Sequence, residues 1–197
     1  MKKLILCLTL LVSVLFAGFA NSYDDLDVPE YQKENQKETM FSYNPGLRFS
    51  ILGLEPTFSF NFYNLETEVA CAFTSGFDGK SFGFAPSFSI GYCTNPFERG
   101  GVTTFGAEYL LVTQAYIKAF KSEMDAPVVH AVSLFYKGGY KFTDAFGVNW
   151  RVRLPLFMGG SSGDYSEFYN ITSTQGGLIC VLAGALTIGA GVQFSFH

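Results

Sequence analysis

Eight charged residues of this chain share one property: each sits at an alternate position in an apolar run. Arg151 and Arg153 interleave with Val148, Trp150, Val152 and Leu154, while Glu66 and Glu68 lie opposite Leu65, Val69 and Phe73. Arg48 falls between Leu47 and Phe49. Glu108 opposes Phe105 and Tyr109, and Lys137 and Lys141 oppose Val132, Leu134, Tyr136 and Tyr140. Successive side chains of an extended chain point to opposite faces, so these charges all belong to the face turned away from the large apolar groups. Buried charge is costly unless paired and hydrogen-bonded. Five bases and three acids on one face therefore predict a network of ion pairs. A second reading lets the surplus bases line a narrow path that prefers small anions.

Other chemistry finds less support. His130 and Ser133 share a strand-like run, but a spacing of three sends them to opposite faces. No G-x-S-x-G turn is present, and no carboxylate is placed to orient the imidazole, so an enzyme is not expected. His130 and His197 are the two histidines, too few beside Cys71, Cys93 and Cys180 for a zinc site. No metal or cofactor is expected. Those three cysteines allow at most one disulfide, and Cys71 shares a face with Leu65, Val69 and Phe73 as a free thiol. From residue 44 onward the chain holds eleven acids and nine bases with no basic stripe, which argues against nucleic acid as a partner.

The elements that position the charges read as strands. Ser81 to Tyr92 puts Phe82, Phe84, Pro86, Phe88, Ile90 and Tyr92 on one face and only Ser, Gly and Ala on the other. Large apolar groups opposite residues small enough to line a narrow interior are the pattern of a membrane-spanning β-barrel. Further strands are expected at Gly46–Leu52, Thr57–Tyr63 after a turn around Pro56, Leu65–Thr74, Thr103–Ala119, Val128–Phe142 and Phe146–Leu156. Lys121 to Pro127 reads as a charged loop, and Met158 to Thr174 as a Gly/Ser-rich loop whose tyrosines offer a surface for an extracellular ligand. Gly176 to His197 is open to several readings. Its glycines argue against a transmembrane helix, and one closing strand near Leu186–Phe196 gives an even count. The expected fold is all-β, a closed antiparallel up-and-down transmembrane barrel of eight strands, with ten as the alternative. A soluble lipocalin-like barrel around an apolar ligand is the competing fold. It would turn Phe82, Phe84, Phe88 and Trp150 inward and leave Arg151 and Arg153 in water.

The ends carry targeting information. Lys2 and Lys3, the apolar Leu4–Phe16 and the small-x-small Gly18-Phe19-Ala20 read as a signal peptide over residues 1–20. Residues 21–43 hold six acids against Lys33 and Lys37 and read as an acidic flexible periplasmic tail, leaving 44–197 for the barrel. The expected location is the bacterial outer membrane.

The final Gly191-Val192-Gln193-Phe194-Ser195-Phe196 resembles the closing signal of bacterial outer-membrane barrels, a glycine followed by alternating aromatics. The resemblance implies that Gly191, Phe194 and Phe196 are read by the barrel-assembly machinery. More broadly, Gly46 to Phe196 is similar to the small eight-stranded outer-membrane barrels. The runs Phe82–Asn95 and Trp150–Pro155 resemble the small barrels of treponemal outer membranes. Both resemblances imply outer-membrane lipid as the surrounding partner. Neither brings a catalytic residue with it.

Overall fold

Period-two alternation has a simple structural outcome when one side is apolar and the other is charged: a sheet curls until the charges face one another. The computed structural model describes residues 41–50, 53–75, 81–120, 128–162, 165–170 and 172–196. The strands are β1 (Phe41–Ser50), β2 (Gly53–Phe62), β3 (Leu65–Ser75), β4 (Phe82–Thr94), β5 (Gly100–Val112), β6 (Val128–Lys141), β7 (Phe146–Ser162), β8 (Tyr165–Asn170) and β9 (Gly189–Phe194). Helix α1 (Gln114–Phe120) follows β5, and α2 (Thr174–Leu186) precedes β9. Each of β1 to β7 pairs antiparallel with the next, and β9 bridges β7 to β1. Eight strands thus close the ring. The ninth, β8, pairs only with the distal end of β7 and stands outside the closure.

The faces are those of a barrel turned inside out relative to a soluble protein. Phe82, Phe84 and Phe88 are exposed on the outside, whereas Arg151 and Arg153 are buried within. The lipocalin-like alternative requires the reverse and fails on this point. β4 alternates exposed and buried along almost its whole length, with Gly83, Ala85, Ser87, Ser89 and Gly91 inward. Outer rings meet in a row near one end: Tyr140 and Phe142 at 5.2 Å, Phe142 stacked on Phe146 at 6.1 Å, Phe146 and Phe194 at 5.6 Å. At this end the connections are short, at Tyr63-Asn64, 95–99 and 142–145, and here β1 begins and β9 ends. We call it the turn end, and the opposite one the helix end.

Several expected boundaries move. β1 takes in Phe41, Ser42 and Tyr43, which the charge pattern had assigned to the acidic tail. Pro56 lies inside β2, opposite Leu47, instead of in a turn. The expected strand Thr103–Ala119 ends at Val112, and Gln114–Phe120 is helical. Thr113 starts that helix, its hydroxyl and carbonyl both accepting from the Tyr116 N–H at 3.3 and 3.0 Å. Tyr116 and Ala119, three apart, are the buried pair, a helical spacing that period-two alternation conceals. The helix lies on the inner face of β4: a Cβ at Gly83 would stand 2.3 Å from Tyr116 Cα, so only glycine allows the approach. The region expected as a loop from Met158 to Thr174 holds the β7–β8 hairpin. The expected closing strand Leu186–Phe196 is preceded by α2 and shortened to Gly189–Phe194. Residues 1–40 and 121–127, with the expected signal, most of the tail and the charged loop, lie outside the described residues.

The glycines that argued against a helix at the C-terminal end have another use. Ser173 caps α2 by accepting from the Gly176 N–H at 3.1 Å. On one edge β7 pairs with β9 along Phe146–Arg151 and with β8 along Phe157–Ser162, so residues 152–156 have no strand there. α2 fills that gap, and a Cβ at Gly184 would meet the Arg153 carbonyl at 2.4 Å and Pro155 Cδ at 3.3 Å. Proline brings no N–H to an edge that lacks a strand partner. Gly184→Val should push α2 off β7 at a cost of about 1–3 kcal/mol, read as a lower urea midpoint. Ala185→Val, on the exposed side of the same turn, should leave the midpoint in place.

Candidate functional site

All eight charged residues singled out by alternation are buried in the barrel interior, none more than 7% exposed. A ninth joins them. Glu55 of β2 is 3% exposed and points inward with Thr57, Ser59 and Asn61. The signal for it was the unbroken phase of those alternate residues, hidden because Pro56 reads as a turn.

Six of the nine form a closed circuit in which acid and base alternate. Glu68 Oε1 accepts from Arg48 Nη2 at 2.5 Å, and Arg48 Nε donates to Glu55 Oε2 at 3.1 Å. Glu55 Oε1 accepts from Arg153 Nη2 at 2.5 Å, and Arg153 Nε donates to Glu108 Oε2 at 2.6 Å. Arg151 completes the ring with Nη1 donating to Glu68 Oε1 at 2.6 Å and Nη2 standing 3.4 Å from Glu108 Oε2. Lys137 hangs from this ring. Its ammonium donates to Glu68 Oε2 at 3.2 Å and also to Glu66, whose other oxygen accepts from Thr104 Oγ1 at 2.5 Å. The circuit draws on β1, β2, β3, β5 and β7, with β6 attached through Lys137. It therefore ties the barrel across its diameter.

The geometry carries further polar detail. Arg151 lays its guanidinium carbon 3.8 Å from the centroid of the Phe135 ring, a cation–π contact on an inward aromatic. Arg48 Nη1 and Arg151 Nε have no hydrogen-bond partner among the described residues. Toward the turn end a neutral layer follows, where the Asn61 and Asn44 amides donate to Ser42 Oγ at 3.3 and 3.4 Å. Lys141, below it, donates to the Pro96 carbonyl. Outside the barrel, Arg99 and Asp144 form a two-point contact at 2.8 and 2.7 Å that joins two turns. Those hydrogen bonds raise the Arg99 guanidinium above its ordinary pKa.

The remaining sequence candidates fall elsewhere. His130 is on the outer surface with Nδ1 2.5 Å from the Tyr109 hydroxyl, whereas Ser133 is 2% exposed on the inner face. The two are not brought together. Cys71, Cys93 and Cys180 are free thiols. Phe194 and Phe196 are exposed beside the β1–β9 closure, where Phe196 stacks on Tyr43 at 5.2 Å. Gly191 lies against β1 so closely that a Cβ would meet the Leu47 carbonyl at 2.1 Å.

No protein-family model matches the chain, and no curated protein matches it. Among solved structures, the N-terminal β-barrel domain of Pseudomonas aeruginosa OprF aligns with 79% of this chain and 96% of that domain. The sequence identity is 13% and the TM-score 0.40. The eight-stranded closure stands on the strand pairing and not on that likeness, and nothing here supports the treponemal resemblance of Phe82–Asn95 and Trp150–Pro155.

Removing one partner of a buried ion pair leaves the other charge uncompensated, at a cost of about 3–5 kcal/mol. Glu55→Gln, which weakens the hold on both Arg48 and Arg153, should lower the unfolding free energy by that order and the unfolding midpoint with it. Arg99→Ala, at an exposed pair, should barely move it. Equal small shifts in the two variants would show that the ring carries no stability.

Proposed function

We propose that the chain is an integral outer-membrane β-barrel whose role is structural or interactive at the cell surface, with a lumen closed by salt bridges. The observation that carries this reading is the alternating ring itself. Its three arginines and three glutamates leave no uncompensated charge to attract a permeating ion. An eight-stranded interior is only wide enough for side chains to fill it. Outside, the exposed Phe, Tyr, Leu, Ile and Val side chains suit acyl chains, and the aromatic cluster at the turn end suits a membrane interface. In this reading the turn end faces the periplasm together with the acidic tail, and the signal over 1–20 directs export. Outer-membrane lipid is the permanent partner. Gly191, Phe194 and Phe196 are the contact for the barrel-assembly machinery, and the helix end presents the surface for an extracellular ligand.

The second reading, a narrow anion-preferring path, draws on Lys141, a buried base without a carboxylate in ion-pair contact. Glu55 weakens it, because the surplus of bases over acids in the lumen falls from two to one. Two measurements separate the readings. Detergent-refolded protein should migrate faster in SDS when unheated than when boiled, and should give no steady conductance in a planar bilayer. Glu108→Gln should lower the temperature of the mobility change without opening a current. A current whose anion preference changes in that variant would defeat the closed-lumen reading.

A further inference from the structure

Among the described residues, one buried interior base lies outside the ring and its branch, and it sits beside a pocket. The pocket opens at the turn end and is lined by Glu66, Thr104, Lys137, Lys141, Asn149 and Gln193, with other polar groups. Lys141 is 6% exposed. Its ammonium donates to the Pro96 carbonyl, and it makes no ion pair among the described residues. The ionisable groups that face it are accounted for in other ways. Glu66 is held by Lys137 and Thr104, and Asp144 is held at two points by Arg99. The Lys137 ammonium on β6 is a like charge, and Cys93 on β4 is a neutral thiol whose Sγ–H donates to the Thr94 carbonyl. Among the described buried residues the interior therefore carries one more base than acid, and that excess is located here. A buried cation with a single carbonyl partner lacks a counter-charge, and a bound anion would supply one.

The neighbouring groups suit such a guest. Asn149, 7% exposed, donates to Gln193 Oε1 at 3.1 Å and has its own Oδ1 without a partner. Turning both amides over preserves their mutual hydrogen bond and brings a free Asn149 N–H to the site, since the two orientations have the same shape. Size narrows the ligand. The cavity takes a species little larger than one water, so a sugar, a nucleotide or a phosphate does not fit.

We infer that this pocket binds a monovalent anion of halide size, with Lys141 as its charged ligand and Asn149 as the adjacent amide. The detergent-purified protein should unfold at a higher temperature in chloride than in a bulky organic sulfonate at equal ionic strength. The effect should saturate, with the folded-to-unfolded ratio rising about elevenfold at ten times the Kd. Lys141→Met should abolish the chloride dependence. Asn149→Asp, which builds a carboxylate into the pocket, should abolish it too. Crystals grown in bromide should show anomalous scattering beside Lys141 Nζ. Identical unfolding in the two salts, a chloride effect that survives in Lys141→Met, or bromide bound only elsewhere would each overturn the site.

Discussion

A closed sheet of eight strands leaves too little room inside for water to solvate most of its charges, and this constraint governs everything else in the molecule. Four glutamates and four of the five interior bases are placed so that each answers another at ion-pair distance. Such an arrangement costs desolvation that a hydrophobic filling would avoid. What the charges give in return is register. A one-residue slip of β1, β2, β3, β5 or β7 would turn its arginine or glutamate outward to the apolar face. The ring thus specifies how the strands align as much as it holds them together.

The small residues on the inner face follow from the same constraint. Gly83, Gly91 and Gly106 stand where a Cβ would collide with backbone, on α1 for the first and across the sheet for the other two. They vacate space that long charged side chains and the inserted helix then occupy. Tyr116 on that helix is buried, near enough to Glu55 and Arg153 to feel both charges, so α1 roofs the ring on the helix end. On the turn end Asn44 and Asn61 with Ser42 and Ser59 provide a neutral polar floor.

Strands with strict alternation were legible in the sequence. β4 and the first half of β7 follow it closely, because large groups outside and small or charged groups inside leave no second phase to choose. Glu55 was missed for a local reason: a proline usually ends a strand, but Pro56 faces outward from β2 and the phase runs on through it. The two helices were missed for opposite reasons. Gln114–Phe120 continues an apolar alternation that also fits a helical i, i+3 pair, so periodicity could not separate them. α2 contains glycines that weaken an isolated helix, yet Gly184 is what lets this one lie against β7. Propensity describes the chain alone; the close approach exists only in the assembled barrel.

The interior charges are also sorted by sign along the chain. β2, β3 and β5 contribute only glutamates, at 55, 66, 68 and 108, whereas β6 and β7 contribute only bases, at 137, 141, 151 and 153. Arg48 on β1 is the exception. The segment made first is thus a negative trough and the segment made later a positive one, and neither is neutral by itself. Their attraction acts across the lumen, between residues as far apart in sequence as Glu55 and Arg153. Neutralisation and closure are therefore one event. A half-formed sheet would leave unmatched charge on its inner face, so the chain gains a reason to close as a whole cylinder and not strand by strand.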